Sequence, residues 1–219
     1  MQQKRQEIGI IGLGKFGTFL GQRLMELGHT VIGMDTSEDK VRKARDELSR
    51  VFQADATDRT ALEQTGFTEL SKVVVSVGDA MEASILITLN LVELGVPDVW
   101  TKAVSFQHEK VLSKIGASNV FIPEHYGAHQ LALRMSVPGL VEYLPVGKGL
   151  LVQRLSVDKW KGKSLRQLDL TNRHGIQVVA VRRAESEDFD YLPKADITLA
   201  EDDELVVFVQ EENLGDIDP

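Results

Sequence analysis

Three glycines in the run "GIIGLGKFGT", residues 9–18, stand at G-x-G-x-x-G spacing: Gly12, Gly14 and Gly17. The run reads as a strand that breaks into a helix, the setting in which this spacing cradles a phosphate. Gly12 permits the tight turn, Gly14 lets the backbone approach a pyrophosphate, and Gly17 lets the helix pack close to the sheet. Amide N–H groups at the helix start face the anion, and the helix dipole adds attraction. Asp35 ends the next apolar run, about 20 residues on, where a carboxylate accepts hydrogen bonds from both ribose hydroxyls. It repels a 2′-phosphate, which disfavours NADP. The same carboxylate can also cap the helix that opens at Thr36.

In open parallel sheets, ligands lie beyond the carboxyl ends of the strands. The residues expected there are Asp55 with Ala56, Gly78 with Asp79, Lys102, and Pro123 with Glu124. Asp55 borders a base, Gly78 gives room near the phosphates, and Lys102 points a cation into the crevice. Lys15, beside Phe16 in the glycine loop, is a second cation. A plain dinucleotide site seldom carries a charge there, whereas a terminal phosphate profits from one. Glu124 is the candidate ligand for a divalent ion, Mg2+ or Ca2+, bridging phosphates. It reads equally well as an ordinary helix-start carboxylate. His125 and His129 share a helical face, but with no third ligand in view they read as surface residues.

The elements that must position these groups alternate. Strands are read at "EIGIIG", "TVIGMD", "RVFQAD", "KVVVSVGD", "VWTKAV" and "NVFIP", with helices between them and one more at "EHYGAHQLALRMSV". Such alternation predicts a doubly wound parallel, Rossmann-like sheet. After Pro138 the rhythm changes to strands with alternating faces, "LVEYLPVG", "LLVQRLSV", "IQVVAVRR" and "DELVVFVQ", and one short helix at "SLRQLDL". "AESEDFDYLPKA" reads as an exposed turn. The expected domains are residues 1–138, nucleotide-binding, and residues 139–219, a small α+β domain. Between Ala83 and Val92 apolar residues fall on every side of a helix, which points to a subunit contact or to cover by the tail domain.

Composition excludes several classes. A net charge of -8 argues against a nucleic-acid partner, and the lack of cysteine excludes disulfides and thiol catalysis. The longest greasy stretch, residues 83–96, is interrupted by Asn90 and Glu93 and falls short of the roughly 20 residues that span a bilayer. The polar start "MQQKRQE" runs straight into a strand, so no signal peptide is expected there. The tail's only histidine is His174, in a turn beside Gly175, and no nucleophile–base motif or Walker loop appears. The expectation is therefore a sensor site and no enzyme.

The segments "IIGLGKFGTFLGQRL", "VIGMDTSEDKV", "VVVSVGDAMEASIL", "VWTKAVSFQHEKVLSKIGASNVFIPE" and "GIQVVAVRR" with "LPKADITLAEDDELVVFV" resemble the cytosolic KtrA/TrkA subunits of bacterial potassium uptake. Those subunits are built from an RCK N-terminal and an RCK C-terminal domain, and the likeness covers nearly the whole chain. The resemblance implies a cytoplasmic regulatory subunit held at the inner face of the membrane by a potassium transporter of Ktr or Trk type. It implies homo-oligomeric dimers assembling into an octameric ring, with ATP and ADP competing for the glycine-loop crevice and NAD(H) a further candidate. By the same likeness Asp35 holds ribose, Lys102 contacts phosphate and Glu124 joins a divalent-cation site. The helix after Glu124 crosses to a partner subunit, and in some members a cyclic dinucleotide binds the C-terminal domain. One departure stands out: relatives carry G-R-F-G, and here the arginine is Lys15, which keeps the charge but loses the bidentate fork. The alternatives are a stand-alone NAD(H)-binding redox sensor and a small NAD-dependent oxidoreductase.

Overall fold

The computed structural model describes residues 5–78, 80–136, 140–147, 149–210 and 212–213. It divides the chain into two compact units, Met1–Pro123 and Glu124–Pro219. The helix at 124–136, grouped with the first domain on sequence, thus falls in the second unit. Asp79 and Pro138 lie outside the described residues.

In the first unit six strands form one parallel sheet: β1 (Glu7–Ile11), β2 (Thr30–Asp35), β3 (Arg50–Gln53), β4 (Lys72–Val75), β5 (Val99–Lys102) and β6 (Asn119–Phe121). Their order is β3-β2-β1-β4-β5-β6. The order reverses between β1 and β4, which opens a crevice beyond the carboxyl ends of those two strands. The connecting helices are α1 (Lys15–Glu26), α2 (Glu38–Ala44), α3 (Arg59–Gln64), α4 (Met81–Glu93) and α5 (Phe106–Lys114).

Both faces of the sheet are buried, which explains the continuous apolar runs. Successive residues point to opposite faces. Ile10 and Val31 thus pack with Leu13, Val41, Ala44 and Leu48 on the side of α1 and α2. Ile11, Met34, Val73 and Val75 pack with Leu62, Ile87 and Leu91 of α3 and α4 on the other. Helix α2 is short and rests on the sheet through two buried residues, Val41 and Ala44.

Helix α4 has an unusual inner face. Ser84, Thr88 and Asn90 are buried beside Ile87 and Leu91, while Met81 and Leu86 are each 43% exposed. The Thr88 hydroxyl donates to the Ser84 carbonyl at 2.7 Å and lies 3.1 Å from the Thr101 hydroxyl of β5. Polar residues thus take inward positions, and apolar ones are left facing out. That distribution is what made the helix read as apolar all round.

At the start of α5, Ser105 caps the helix by accepting the His108 N–H. The His108 imidazole is fully buried, and its Nδ1 accepts the Val104 N–H at 3.4 Å. Its Nε2 has no partner among the described residues. Burial holds this histidine below the ordinary imidazole range, so the fold prefers it neutral. A group depressed in this way is most favourable to folding above its unfolded value, near pH 6.5, and loses that contribution as pH falls. Protonation also places a donor at Nδ1 against the Val104 N–H. Urea midpoints measured from pH 8 to pH 5 are therefore expected to fall more steeply for wild type than for His108→Gln. Parallel slopes count against this account.

The second unit begins one residue into α6 (Pro123–Ser136) and continues as a five-stranded antiparallel sheet: β7 (Leu140–Gly147), β8 (Leu150–Ser156), β9 (Gln177–Arg182), β10 (Phe189–Tyr191) and β11 (Glu204–Gln210), in the order β10-β9-β11-β8-β7. Alternate residues Leu151 and Leu155 of β8 and Leu205, Val207 and Val209 of β11 form its core with Trp160, Ile176 and Leu199. Two details differ from the sequence reading. "SLRQLDL" is not one helix, because Asp169 adopts a left-handed φ of 49° and splits the segment into α7 (Leu165–Leu168) and α8 (Leu170–His174). The supposed turn after Arg183 contains β10, paired with β9 from Phe189 to Tyr191. Phe189 is half-buried while Asp190 and Tyr191 are exposed, so no alternating apolar pattern marks it. Among the described residues no helix is long and apolar enough to cross a membrane.

Candidate nucleotide-binding site

Where β1 runs into α1, the three glycines do three different jobs. Gly12 has a φ of +96°, and a Cβ on it would meet the Ser76 backbone at 2.9 Å. A Cβ on Gly17 would stand 2.0 Å from the Gly12 carbonyl oxygen, so the loop and the helix touch directly. Around Gly14 nothing lies within 4 Å of such a Cβ. This is open space at the N-cap of a 12-residue helix with no side-chain cap and no acidic residue in its first turn. The orphan N–H groups and the positive end of α1 are therefore left for an anion.

Asp35 closes the other side. It is 8% exposed, and its Oδ2 accepts the Leu13 N–H of the glycine loop at 2.8 Å. Its Oδ1 accepts the Ser37 N–H at 2.9 Å. The carboxylate thus straps the loop to β2 and also caps the approach to α2. Lys40 of α2 completes the cluster with its Nζ 3.3 Å from Oδ2.

Beyond β3, the Asp55 Oδ1 accepts both the N–H and the hydroxyl of Thr57, at 2.9 and 2.7 Å. Asn90 of α4 donates to the Thr57 carbonyl at 3.0 Å. This fixes the turn Asp55–Ala56–Thr57 against the helix. Gly12, Gly14, Asp35, Thr36, Asp55, Ala56 and Gly78 all line one cleft of about 300 Å³. Ile11, Met34, Ala83 and Ile87 give it apolar walls that suit the faces of a base.

The other expected residues stand elsewhere. Gly17 is buried beneath the loop, and Lys15 is exposed on the first turn of α1. Lys102 reaches over the outer lip. Its Nζ is 3.5 Å from where a Gly78 Cβ would sit and 5.9 Å from the centre of the Phe16 ring. Phe16 in turn lies 5.4 Å from Phe121, centre to centre. Glu124 is an exposed residue in the first turn of α6, in the second unit. Among the described residues no cluster of three or more His, Asp or Glu could hold a metal by itself. Sequence reasoning missed Lys40, Thr57 and Asn90. Asn90 had been noted only as a polar break in a greasy helix, although a lone amide among leucines is itself a signal of a buried partner.

The described residues lining the cleft include no histidine, and its two carboxylates are engaged within the protein, Asp35 with the Leu13 and Ser37 N–H groups and Lys40, Asp55 with Thr57. They can bind an anion, a ribose and a flat apolar ring. Comparison with known proteins places the chain in a family. The TrkA-N domain model matches residues 8–123, and the TrkA-C domain model matches residues 154–218. This chain belongs to the TrkA family. It is 37% identical to the Ktr system potassium uptake protein C of Bacillus subtilis, over 82% of this chain and 81% of that one. It is 32% identical to the Ktr system potassium uptake protein A of Vibrio alginolyticus, over 84% of each. Among solved structures, the RCK domain of GsuK superposes with a TM-score of 0.65 at 16% identity, covering 98% of this chain and 47% of that one. The GsuK channel bound to NAD gives 0.65 at 15% identity, and this TrkA-family chain spans 39% of its length. At such identity the match speaks for the shared fold alone.

Proposed function

We propose that this chain is a cytosolic regulatory subunit that senses an adenine nucleotide and thereby gates a membrane potassium transporter or channel of Ktr or Trk type. The observation that carries the reading is the cleft, where an uncapped helix N-terminus and open space at Gly14 face the carboxylate of Asp35. Relatives named as Ktr system potassium uptake proteins support the setting. ATP and ADP compete for the cleft, with NAD(H) as a third candidate. The chain catalyses no turnover. A ligand shifts a two-state assembly only by its difference in affinity between the states. The γ-phosphate of ATP supplies that difference by reaching Lys15, or a neighbouring subunit, where ADP stops short.

Glu124 contributes one carboxylate to a divalent ion, and the phosphates supply the remaining ligands, as is usual for Mg2+. Dimers form through α6, which presents Tyr126 and Leu131, each 59% exposed, and Met135, 79% exposed. Four such dimers close an octameric ring, and a cyclic dinucleotide is the candidate ligand of the C-terminal unit.

Calorimetric titration with ATP, ADP and NAD(H), together with the mass of the assembly, tests the reading. Lys15→Ala is expected to lower ATP affinity about tenfold and ADP affinity by less than about twofold, a difference of one charge-assisted contact. Equal losses for both remove Lys15 as the phosphate counter. Failure of every adenine nucleotide to bind wild type removes the sensor reading. Steady nicotinamide oxidation with a small substrate would favour an oxidoreductase instead.

A further inference from the structure

A carboxylate offers about four lone-pair sites. In Asp35, Oδ2 is taken up by the Leu13 N–H at 2.8 Å and the Lys40 ammonium at 3.3 Å. Oδ1 accepts the Ser37 N–H at 2.9 Å. One site therefore remains, on Oδ1, yet a ribose held by its two hydroxyls needs two partners. The structure offers a second partner in the same place. Lys40 lines the cleft beside Asp35, its side chain is 50% exposed, and an ammonium carries three donors, of which the pair with Asp35 uses one.

We propose that Lys40 is a ribose ligand and a specificity-determining residue of the nucleotide site. One ribose hydroxyl donates to the open lone pair of Asp35 Oδ1, and the Lys40 ammonium donates to the oxygen of a ribose hydroxyl. The geometry fits this division of work. Lys40 stands in the first turn of α2, five residues after Asp35, so the residue that ends β2 and the helix that follows it grip one sugar from two sides. Held on the Leu13 amide, Asp35 cannot turn to free Oδ2 without releasing the glycine loop. The ammonium also offsets the carboxylate's charge, which lowers its repulsion of the phosphates. The inference rests on the adenine-nucleotide reading above.

The test separates a sugar contact from simple charge pairing with Asp35. The full chain is titrated calorimetrically with ADP, 2′-deoxy-ADP and 3′-deoxy-ADP, as wild type, Lys40→Met and Lys40→Arg. Methionine keeps most of the apolar stem and removes the donors. Lys40→Met is expected to weaken ADP about tenfold, while for one of the deoxy analogues the loss shrinks below about twofold. Lys40→Arg, which retains charge and donors, is expected to restore most of the ADP affinity. Urea midpoints of the variants establish that they are folded. Equal losses for all three ligands, or no loss for any, overturn the role of Lys40 and leave the nucleotide reading standing. Absence of ADP binding by folded wild type removes both.

Discussion

Gly17→Ala is expected to abolish nucleotide binding and to lower the free energy of unfolding by about 3 kcal/mol, the upper end for overpacking. The added carbon would stand 2.0 Å from the Gly12 carbonyl oxygen and 3.3 Å from the Ile10 side chain. Neither can give way easily. Gly12 is pinned by its N–H to the Met34 carbonyl at 2.8 Å, and Ile10 is fully buried in the core beneath α1. The helix must lift, and its N–H groups then no longer converge on the place of the phosphate. Gly14→Ala is the control that separates folding from binding. Its Cβ would meet no protein atom within 4 Å, and Gly14 has an ordinary φ of -73°. Stability is therefore expected to stay within about 0.5 kcal/mol of wild type, as for other changes that touch nothing. Nucleotide affinity is nevertheless expected to fall, because the methyl group occupies the approach to the amides. Urea titration and calorimetry on both variants check the pair. A Gly14→Ala protein that binds like wild type would show that the open space is not where the phosphate goes.

Asp35→Ala is expected to weaken ATP, ADP and NAD(H) alike, by about 100-fold or more. The substitution removes the ribose acceptor and strands three donors at once: the Leu13 and Ser37 N–H groups and the Lys40 ammonium. Each buried donor left unpaired costs about 1–3 kcal/mol. The Leu13 amide is the buried one, so a stability loss of that size should accompany the binding loss. The uniformity across ligands is the diagnostic. A residue that reads the sugar cannot distinguish one phosphate tail from another, whereas Lys15 is expected to do so. Calorimetry with each nucleotide, beside a urea titration, separates the two. A variant that keeps ATP while losing ADP would place Asp35 near the phosphates and not the ribose.

The parallel sheet was legible because a buried strand in such a sheet admits little but apolar residues, and "KVVV" and "VIGM" say so plainly. The glycine loop was legible because its chemistry is local: turn, approach and close packing follow from ten consecutive residues. Asp35 was legible for a related reason, as it ends a strand at a fixed distance from that loop. Lys40 and Thr57 were not, since each acts only through a neighbour that folding supplies: the Asp35 carboxylate for one, the Asn90 amide for the other. Strand β10 escaped because only three residues form it and two of them, Asp190 and Tyr191, are exposed in succession. The break at Asp169 escaped because a left-handed aspartate leaves no mark that differs from an ordinary helix residue.

Helix α6 has a thermodynamic consequence of its own. From Glu124 to His129 every residue is exposed, and Leu131, Ala132 and Arg134–Ser136 are exposed too. A 14-residue helix with a glycine inside it, at Gly127, is near the limit of what propensity alone sustains in water. Its helicity is thus conditional on the surface it meets. In a solitary chain its amide protons should exchange with solvent almost as fast as those of open coil, and any slowing of that exchange is a direct gauge of docking.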